Sequence, residues 1–502
     1  MRLTELVKGM GTRLEKQAAE ADREIAGLTS DSRRVKPGTL FAALPGARGD
    51  GRAFVADAIA RGATAVLVAE GFAAAMRAEL AEQQARQPGV ADVPVLGDDN
   101  PRRRFALLTA RFYGGQPERI AAVTGTNGKT STVTFARQLW QAIGEAGASI
   151  GTLGVSAPDY REPGALTTPD PVELHRILAE LKRRGVDRLA MEASSHGLDQ
   201  YRLDGVELTA AVFTNLTRDH LDYHKTFEAY LAAKLRLFAE ILPAHGHAVI
   251  NADSPEFETV AAVARARRQR IVTFGINGED VRIRDTSPTA AGQHIRLSVG
   301  GRSFEGDLPL IGTFQAANVA AALGLLLACG EETDSVLGAL PALTGVPGRM
   351  ELAATLPNGA AVYVDYAHTP DALANALASA RPHAAGRLLV VFGCGGDRDA
   401  GKRPEMGRIG VRLADRVIVT DDNPRSESAA AIRAAVMAGA SGAVEIGDRA
   451  QAIAAAIDSL QTGDVLLIAG KGHEQGQIIG DKVIPFDDRT VARDAARGRG
   501  GR

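Results

Sequence analysis

Gly125-Thr126-Asn127-Gly128-Lys129-Thr130 is the stretch of this chain whose residue types and spacing lead most directly to chemistry. A polyphosphate needs several backbone N–H groups aimed at one point, together with a cation. Glycines let the main chain curl close, and the N-terminus of a following helix adds partial positive charge. Lys129 supplies a point charge for terminal phosphates, and the Thr130 hydroxyl can hold Mg2+. The general pattern has a glycine where this chain carries Val123. On this motif alone a kinase, an NTPase and a ligase all stay open, as does a tight strand-to-helix turn with an incidental lysine.

Other clusters lie just past expected strand ends. Met191–Gly197 offers Glu192 as a metal donor and Ser194 as a substrate contact, or else a solvated turn. Asn215–His224 brings two carboxylates and two imidazoles together, but not at a zinc spacing. Lys234 follows two alanines and by residue type reads as a surface lysine. Asp365–Pro370, Gly393–Asp399, Asp421–Arg425 and Gly470–Glu474 each follow an apolar run. Gly393–Asp399 matches a dinucleotide loop only weakly, because its spacing fails, and Asp421–Arg425 or Gly470–Glu474 could each be a bare turn. Arg398 and Arg425 can grip carboxylates in bidentate fashion and Glu474 can hold an ammonium, a combination that suits a zwitterionic amino acid.

The elements that must position these residues alternate. Buried strands are expected at Thr39–Leu44, Ala63–Ala69, Val93–Leu96, Ile120–Thr124, Arg188–Met191, Ala210–Thr214 and Ala248–Ile250. The same pattern predicts strands at Ala361–Val364, Leu388–Phe392, Val417–Thr420 and Val465–Ala469. Helical spacing covers Arg103–Phe112, Thr130–Ile143, Pro171–Arg184 and Phe227–Leu242. The rhythm predicts an α/β fold with mainly parallel sheets covered on both faces. Ligands then bind beyond the carboxyl ends of the strands, where the clusters lie. Residues 271–310 read as a small antiparallel patch. Breakers at 114–117 and 344–348 mark linkers and suggest three domains, 1–105, 106–344 and 345–502.

Bulk properties narrow the classes. The 502 residues are too many for one core, and 58 basic against 60 acidic side chains leave a net charge of -2. That balance gives no electrostatic reason for a nucleic-acid or membrane partner. Only two cysteines occur, no apolar run approaches the roughly 18 residues that cross a bilayer, and no signal-peptide core follows Met1. A cytoplasmic enzyme is expected, and a monomer.

Taken in order, GTNGKT (125–130), MEASSHG (191–197), NLTRDHLDYH (215–224), AAK (232–234), Asn318, GRME (348–351), DYAHTPDAL (365–373), FGCGGDRDAGKRP (392–404), DDNPR (421–425) and GKGHE (470–474) resemble the Mur ligases of peptidoglycan synthesis. The resemblance covers nearly the whole chain. It implies three domains: one for the UDP moiety, a central P-loop-type ATPase domain and a Rossmann-like C-terminal domain. It also implies an ATP-dependent amide ligase working through an acyl phosphate. Carried over residue by residue, Gly125–Thr130 with Asn318, Arg349, Asp365 and His368 would meet ATP. Lys129, Glu192, His220 and Lys234 would be catalytic. Thr130, Glu192, His220 and a carbamylated Lys234 would hold Mg2+, which reverses the surface reading of that lysine.

Ser30, Ser32, Ala47, Arg48 and Gly49 would contact the UDP end, although Ser30 and Ala47-Arg48-Gly49 depart most from the family pattern. Thr167, Thr168, Ser194, Gln200 and Arg202 would hold the muramoyl dipeptide, UDP-MurNAc-L-Ala-D-Glu being the implied substrate. Arg398, Asp422, Asn423, Pro424, Arg425, Gly470 and Glu474 would read the amino acid. The DNPR form resembles members that take meso-diaminopimelate, whose distal carboxylate an arginine fork favours over lysine. A lysine-adding or folylpolyglutamate-type ligase is the alternative, and a nucleotide-switched binding protein without ligase chemistry is another.

Overall fold

The computed structural model describes residues 1–46, 49–86, 93–289 and 292–501. Three sheets with separate cores follow one another along the chain. The first has four parallel strands in the order β1 (Gly27–Thr29), β2 (Thr39–Ala42), β3 (Ala63–Ala69), β4 (Val95–Asp98). Helix Pro101–Tyr113 then runs on, capped by the Asn100 side chain and opened by a proline. Its Phe105 and Leu108 are buried in the first core.

The second sheet is built around β5 (Arg119–Thr124), which pairs in parallel with β9 (Arg188–Glu192) on one side and β10 (Leu208–Phe213) on the other. Ala121 and Ala122 point to opposite faces of β5 and let helices pack closely on both. β6 (Gly147–Gly151), β7 (Gly154–Ala157) and β8 (Tyr160–Glu162) extend the sheet beyond β9. β11 (His247–Asn251) and β12 (Arg270–Gly275) extend it beyond β10. The patch expected at 271–310 is therefore only partly separate. β12 pairs parallel to β11, and only β13 (Val281–Thr289), β14 (Gly292–Val299) and β15 (Arg302–Leu308) are antiparallel, continuing the same sheet. Helix Phe227–Arg236 is shorter than its sequence spacing predicts, because Leu237–Ile241 winds on as a π-helix.

The third sheet runs β16 (Glu351–Thr355), β17 (Ala361–Asp365), β21 (Val465–Ala469), β18 (Leu388–Phe392), β19 (Arg416–Val419), β20 (Val444–Glu445). β17, β21, β18 and β19 are parallel and pack apolar side chains on both faces, so their four following loops converge on one edge. A two-stranded ribbon, β22 (Gly476–Ile479) with β23 (Lys482–Pro485), lies beside them. Among the described residues no helix is long and apolar enough to cross a membrane.

Candidate active site

The loop after β5 curls tightly into helix Lys129–Ala142, with Gly125 at φ 143° and Gly128 at φ 89°, conformations that glycine adopts without a Cβ clash. Lys129 turns back on its own loop and donates to Gly125 O and Thr126 O, each at 2.8 Å. The loop after β10 laces the phosphate loop in place. Asn215 Oδ1 accepts from Asn127 N at 2.9 Å, Thr214 Oγ1 donates to Asn127 O at 2.6 Å, and Thr217 N donates to Thr126 Oγ1 at 2.9 Å. Thr217 falls within the Asn215–His224 motif but Thr214 lies just outside it, and the partners of both lie about ninety residues away.

Lys234 is not a surface residue. It is 1 % exposed, donates to Gly125 O at 2.8 Å and places its nitrogen 4.4 Å from the Tyr230 ring centre. Helix Phe227–Arg236 packs under the phosphate loop and drives this position inward. Burial, with Lys129 as a like-charged neighbour, pushes its amine well below the ordinary lysine range.

Glu192, the last residue of β9, is also buried. Its Oε1 accepts from Thr152 N at 2.8 Å and its Oε2 from Thr152 Oγ1 at 3.2 Å. Thr152 follows β6, the strand beside β9, so the sheet register delivers this partner. His220 sits in the left-handed region at φ 54°, its ring 4.8 Å from that of His196. Burial lowers the His220 imidazole to about 3 against the opposing pull of Asp219. Burial pushes Asp219 up, but His220, His368 and Lys402 outweigh it and keep the carboxyl at about 2. Asp219 is thus an anchored anion inside the cleft that the motif reading did not single out.

The five residues expected at the muramoyl dipeptide form one connected network. Thr168 Oγ1 donates to Glu192 O at 2.9 Å and accepts from Ser194 N at 2.9 Å. Arg202 donates to Thr168 O at 2.7 Å and to Gln200 Oε1 at 2.7 Å, and Thr167 meets Thr152 at 3.1 Å between hydroxyls. Alongside is a cavity of about 290 Å³ lined by Arg34 of the first unit and by Gly151, Leu166, Pro169 and Asp170 of the second. Ser32 is buried beside it in sequence, in a turn capped by Asp31, whereas Ser30 and Gly49 are exposed. Ala47 and Arg48 lie outside the described residues.

The third unit closes over this cleft. Arg349 donates to Thr130 Oγ1 at 3.1 Å, Asn127 to Asp371 Oδ2 at 3.1 Å, and Arg218 to Asp399 Oδ2 at 3.0 Å. Asn318 is held by Gln315 at 2.9 Å on the helix behind Gly128. Both carboxylate oxygens of Asp365 accept backbone N–H groups, from Met350 at 2.7 Å and Ala367 at 2.8 Å, so this residue shapes the loop. Burial raises its carboxyl above the usual range. His368 bonds Tyr366 O through Nδ1 at 2.9 Å, and its Nε2 faces Asp219 at 3.9 Å.

In the loops that follow β18, β19 and β21, Arg425 stands in the left-handed region at φ 51° and donates to Gly396 O at 2.9 Å. Burial lowers its guanidinium, with the like charge of Arg398 next in size, so two cations face one space. Arg398 is exposed at the rim. Asp422 is buried and accepts from Asn423 N at 2.7 Å, Pro424 is buried, and Gly470 turns at φ 119°. Lys471, fully buried, donates to Asn423 Oδ1 at 2.9 Å and to Glu474 Oε2 at 3.1 Å, while Asn423 Nδ2 donates to Glu474 Oε2 at 2.9 Å. Asn423 is therefore a strut between the loops, and Glu474 is held through Oε2. Lys471 lay within a noted motif, but its depth came only with the fold.

Three family models match in order: "Mur ligase family, catalytic domain" over residues 24–113, "Mur ligase middle domain" over 123–326 and "Mur ligase, glutamate ligase domain" over 348–472. The chain is 52% identical over 475 residues to UDP-N-acetylmuramoyl-L-alanyl-D-glutamate--2,6-diaminopimelate ligase of Rhizobium meliloti (strain 1021), covering 95% of both. It is 50% identical over 483 residues to the protein of the same name from Caulobacter vibrioides, covering 95% of this chain and 96% of that one. A solved structure of a ligase with that name superposes at a TM-score of 0.65, with 36% identity and 95% of each chain covered. A Mycobacterium tuberculosis folylpolyglutamate synthase complexed with ADP shares the fold at a TM-score of 0.61 and 19% identity, over 79% of this chain and 96% of that one. Matched by three family models in order and about half identical to these relatives over nearly its whole length, the chain belongs to the Mur ligase family.

Proposed function

We propose that this chain is an ATP- and Mg2+-dependent amide ligase that joins meso-diaminopimelate to UDP-MurNAc-L-Ala-D-Glu, releasing ADP and phosphate, in cytoplasmic peptidoglycan precursor synthesis. What supports the reading most directly is that the third unit reaches the phosphate loop, Arg349 bonding Thr130 and Asp371 bonding Asn127, while neighbouring loops of its sheet edge carry Arg398, Arg425 and Glu474. Three working units, for the UDP moiety, ATP and the amino acid, go with the three sheets, and a monomer suffices for the cleft.

The D-glutamyl carboxylate attacks the γ-phosphorus, the bond to ADP breaks, and an acyl phosphate forms. The amine then attacks the acyl carbon, phosphate leaves and the nitrogen loses a proton. Lys129 offsets charge on the transferred group, with Arg349 near Thr130 adding a second cation from the closing unit. Asn318, Asp365 and His368 shape the nucleotide side. Thr167, Thr168, Ser194, Gln200 and Arg202 orient the dipeptide beside Glu192, and Ser30, Ser32 and Gly49 face the UDP end. Arg398 and Arg425 take a distal carboxylate, and Glu474 takes an ammonium.

The donors present suit Mg2+: Glu192 and Thr130 offer hard oxygens, His220 adds an imidazole, and a carbamate on Lys234 would add two more oxygens. Its contribution when bound is to screen the repulsion between carboxylate and γ-phosphate. Among the described residues no three His, Cys, Asp or Glu side chains converge as a metal group, so Thr130, the carbamate and phosphate oxygens complete the set in this reading.

A phosphate-release assay with a panel of amino acids tests the reaction and its substrate together. Turnover with meso-diaminopimelate and little with L-lysine is expected; equal rates with both would sink the specificity, and no amino-acid-dependent ADP would favour a nucleotide-switched binding protein.

A further inference from the structure

The β22–β23 ribbon takes no part in the chemistry above, yet it grips the amino-acid loop at four points. Arg425 N–H donates to Ile478 O at 3.0 Å, and Gly480 N–H donates to Arg425 O at 2.8 Å. Ile478 N–H donates to Asn423 Oδ1 at 2.9 Å, and Gln477 Nε2 donates to Asp422 O at 2.7 Å. The loop therefore borrows a third strand edge, with Arg425 bridged in parallel to Ile479.

This grip has a clear physical task. Arg425 is a non-glycine residue in the left-handed region, which persists only where neighbours over-determine it. The paired bonds to Ile478 and Gly480 do so. Its side chain also faces the like charge of Arg398, so without a fixed backbone it would swing toward solvent. The ribbon, being two-stranded and exposed along Lys482–Pro485, is marginal alone and is ordered by the same bonds. Three of the four use the ribbon's main chain. Gln477 alone grips with a side chain, and it holds the carbonyl of Asp422, three residues before Arg425.

Resting on the amino-acid reading proposed above, we infer that Gln477 is a positioning residue that sets the reach of Arg425, which makes the β22–β23 ribbon part of amino-acid selection. In the full-length enzyme, Gln477→Ala and Gln477→Glu should each raise the KM for meso-diaminopimelate about tenfold, the factor of one lost hydrogen bond. The KM values for ATP and UDP-MurNAc-L-Ala-D-Glu, and kcat, should stay near wild type. Gln477→Lys, which keeps a donor of similar reach, should recover most of the loss. An unchanged diaminopimelate KM in both variants overturns the inference. So does a parallel rise in all three KM values, because a merely structural role would produce it. Wild-type enzyme that shows no diaminopimelate-dependent phosphate release instead overturns the reading on which the inference rests.

Discussion

The ammonium groups of Lys129 and Lys234 donate to the same acceptor, the carbonyl oxygen of Gly125, each at 2.8 Å. Two lysines from helices far apart in sequence thus share one oxygen in a buried site. Burial lowers both, and the charge of Lys129 further disfavours that of Lys234. The pair is relieved if one lysine stops being a cation.

Lys234 is the one expected to change. A neutral amine can add to carbon dioxide, forming an N–C bond and releasing one proton, and the resulting carbamate would turn a repulsive pair into an attractive one. Enzyme prepared without carbon dioxide should lose most activity and regain it with bicarbonate, and intact mass should show the adduct. Active, bicarbonate-supplied enzyme with unmodified Lys234 would refute this.

Glu192→Gln removes one negative charge and keeps the size of the side chain. Loss of a metal-directed oxygen should lower kcat on the order of a hundredfold, with the fold retained because Thr152 still finds a carbonyl to bond. Steady-state rates beside a circular dichroism spectrum check it; a near-normal kcat would remove Glu192 from the metal site.

Arg425→Ala leaves a substrate carboxylate without its cation. A cost of about 2 kcal/mol or more corresponds to roughly a thirtyfold loss in kcat/KM for meso-diaminopimelate. The KM for ATP should not move. Equal losses for both substrates would count against the role.

His175 supplies a pH dependence of stability away from the site. It is 2 % exposed, its Nε2 is 3.3 Å from Asp204 O, and burial lowers it to about 4 from an ordinary 6.5. The folded state refuses a proton that the unfolded chain accepts. Its contribution is therefore complete above about pH 6.5 and is lost as pH falls toward 4, up to about 3 kcal/mol in all. Denaturant unfolding of His175→Gln against wild type should show a shallower acid decline over that window; parallel curves would argue that His175 is free to protonate.

Much of this was legible in the order of residues, because it depends on local physics. The Gly125–Thr130 turn needs glycine at positive φ and a helix start, both written within six residues. The apolar runs at Leu388–Phe392 and Val465–Ala469 read as strands buried on both faces, and in a parallel sheet their loops share an edge. Lys234 shows the limit: residue type places a lysine at the surface, and only the packing of its helix under Gly125 puts it inside. The shared-oxygen pair, the hold of Thr152 on Glu192, the strut formed by Lys471 and Asn423, and the reach of Arg349 to Thr130 all join segments remote in the chain. Sequence determined which groups were available and which local turns present them. Tertiary structure alone decided their depth and their partners, since desolvation and charge coupling depend on what folds against a residue and not on what precedes it.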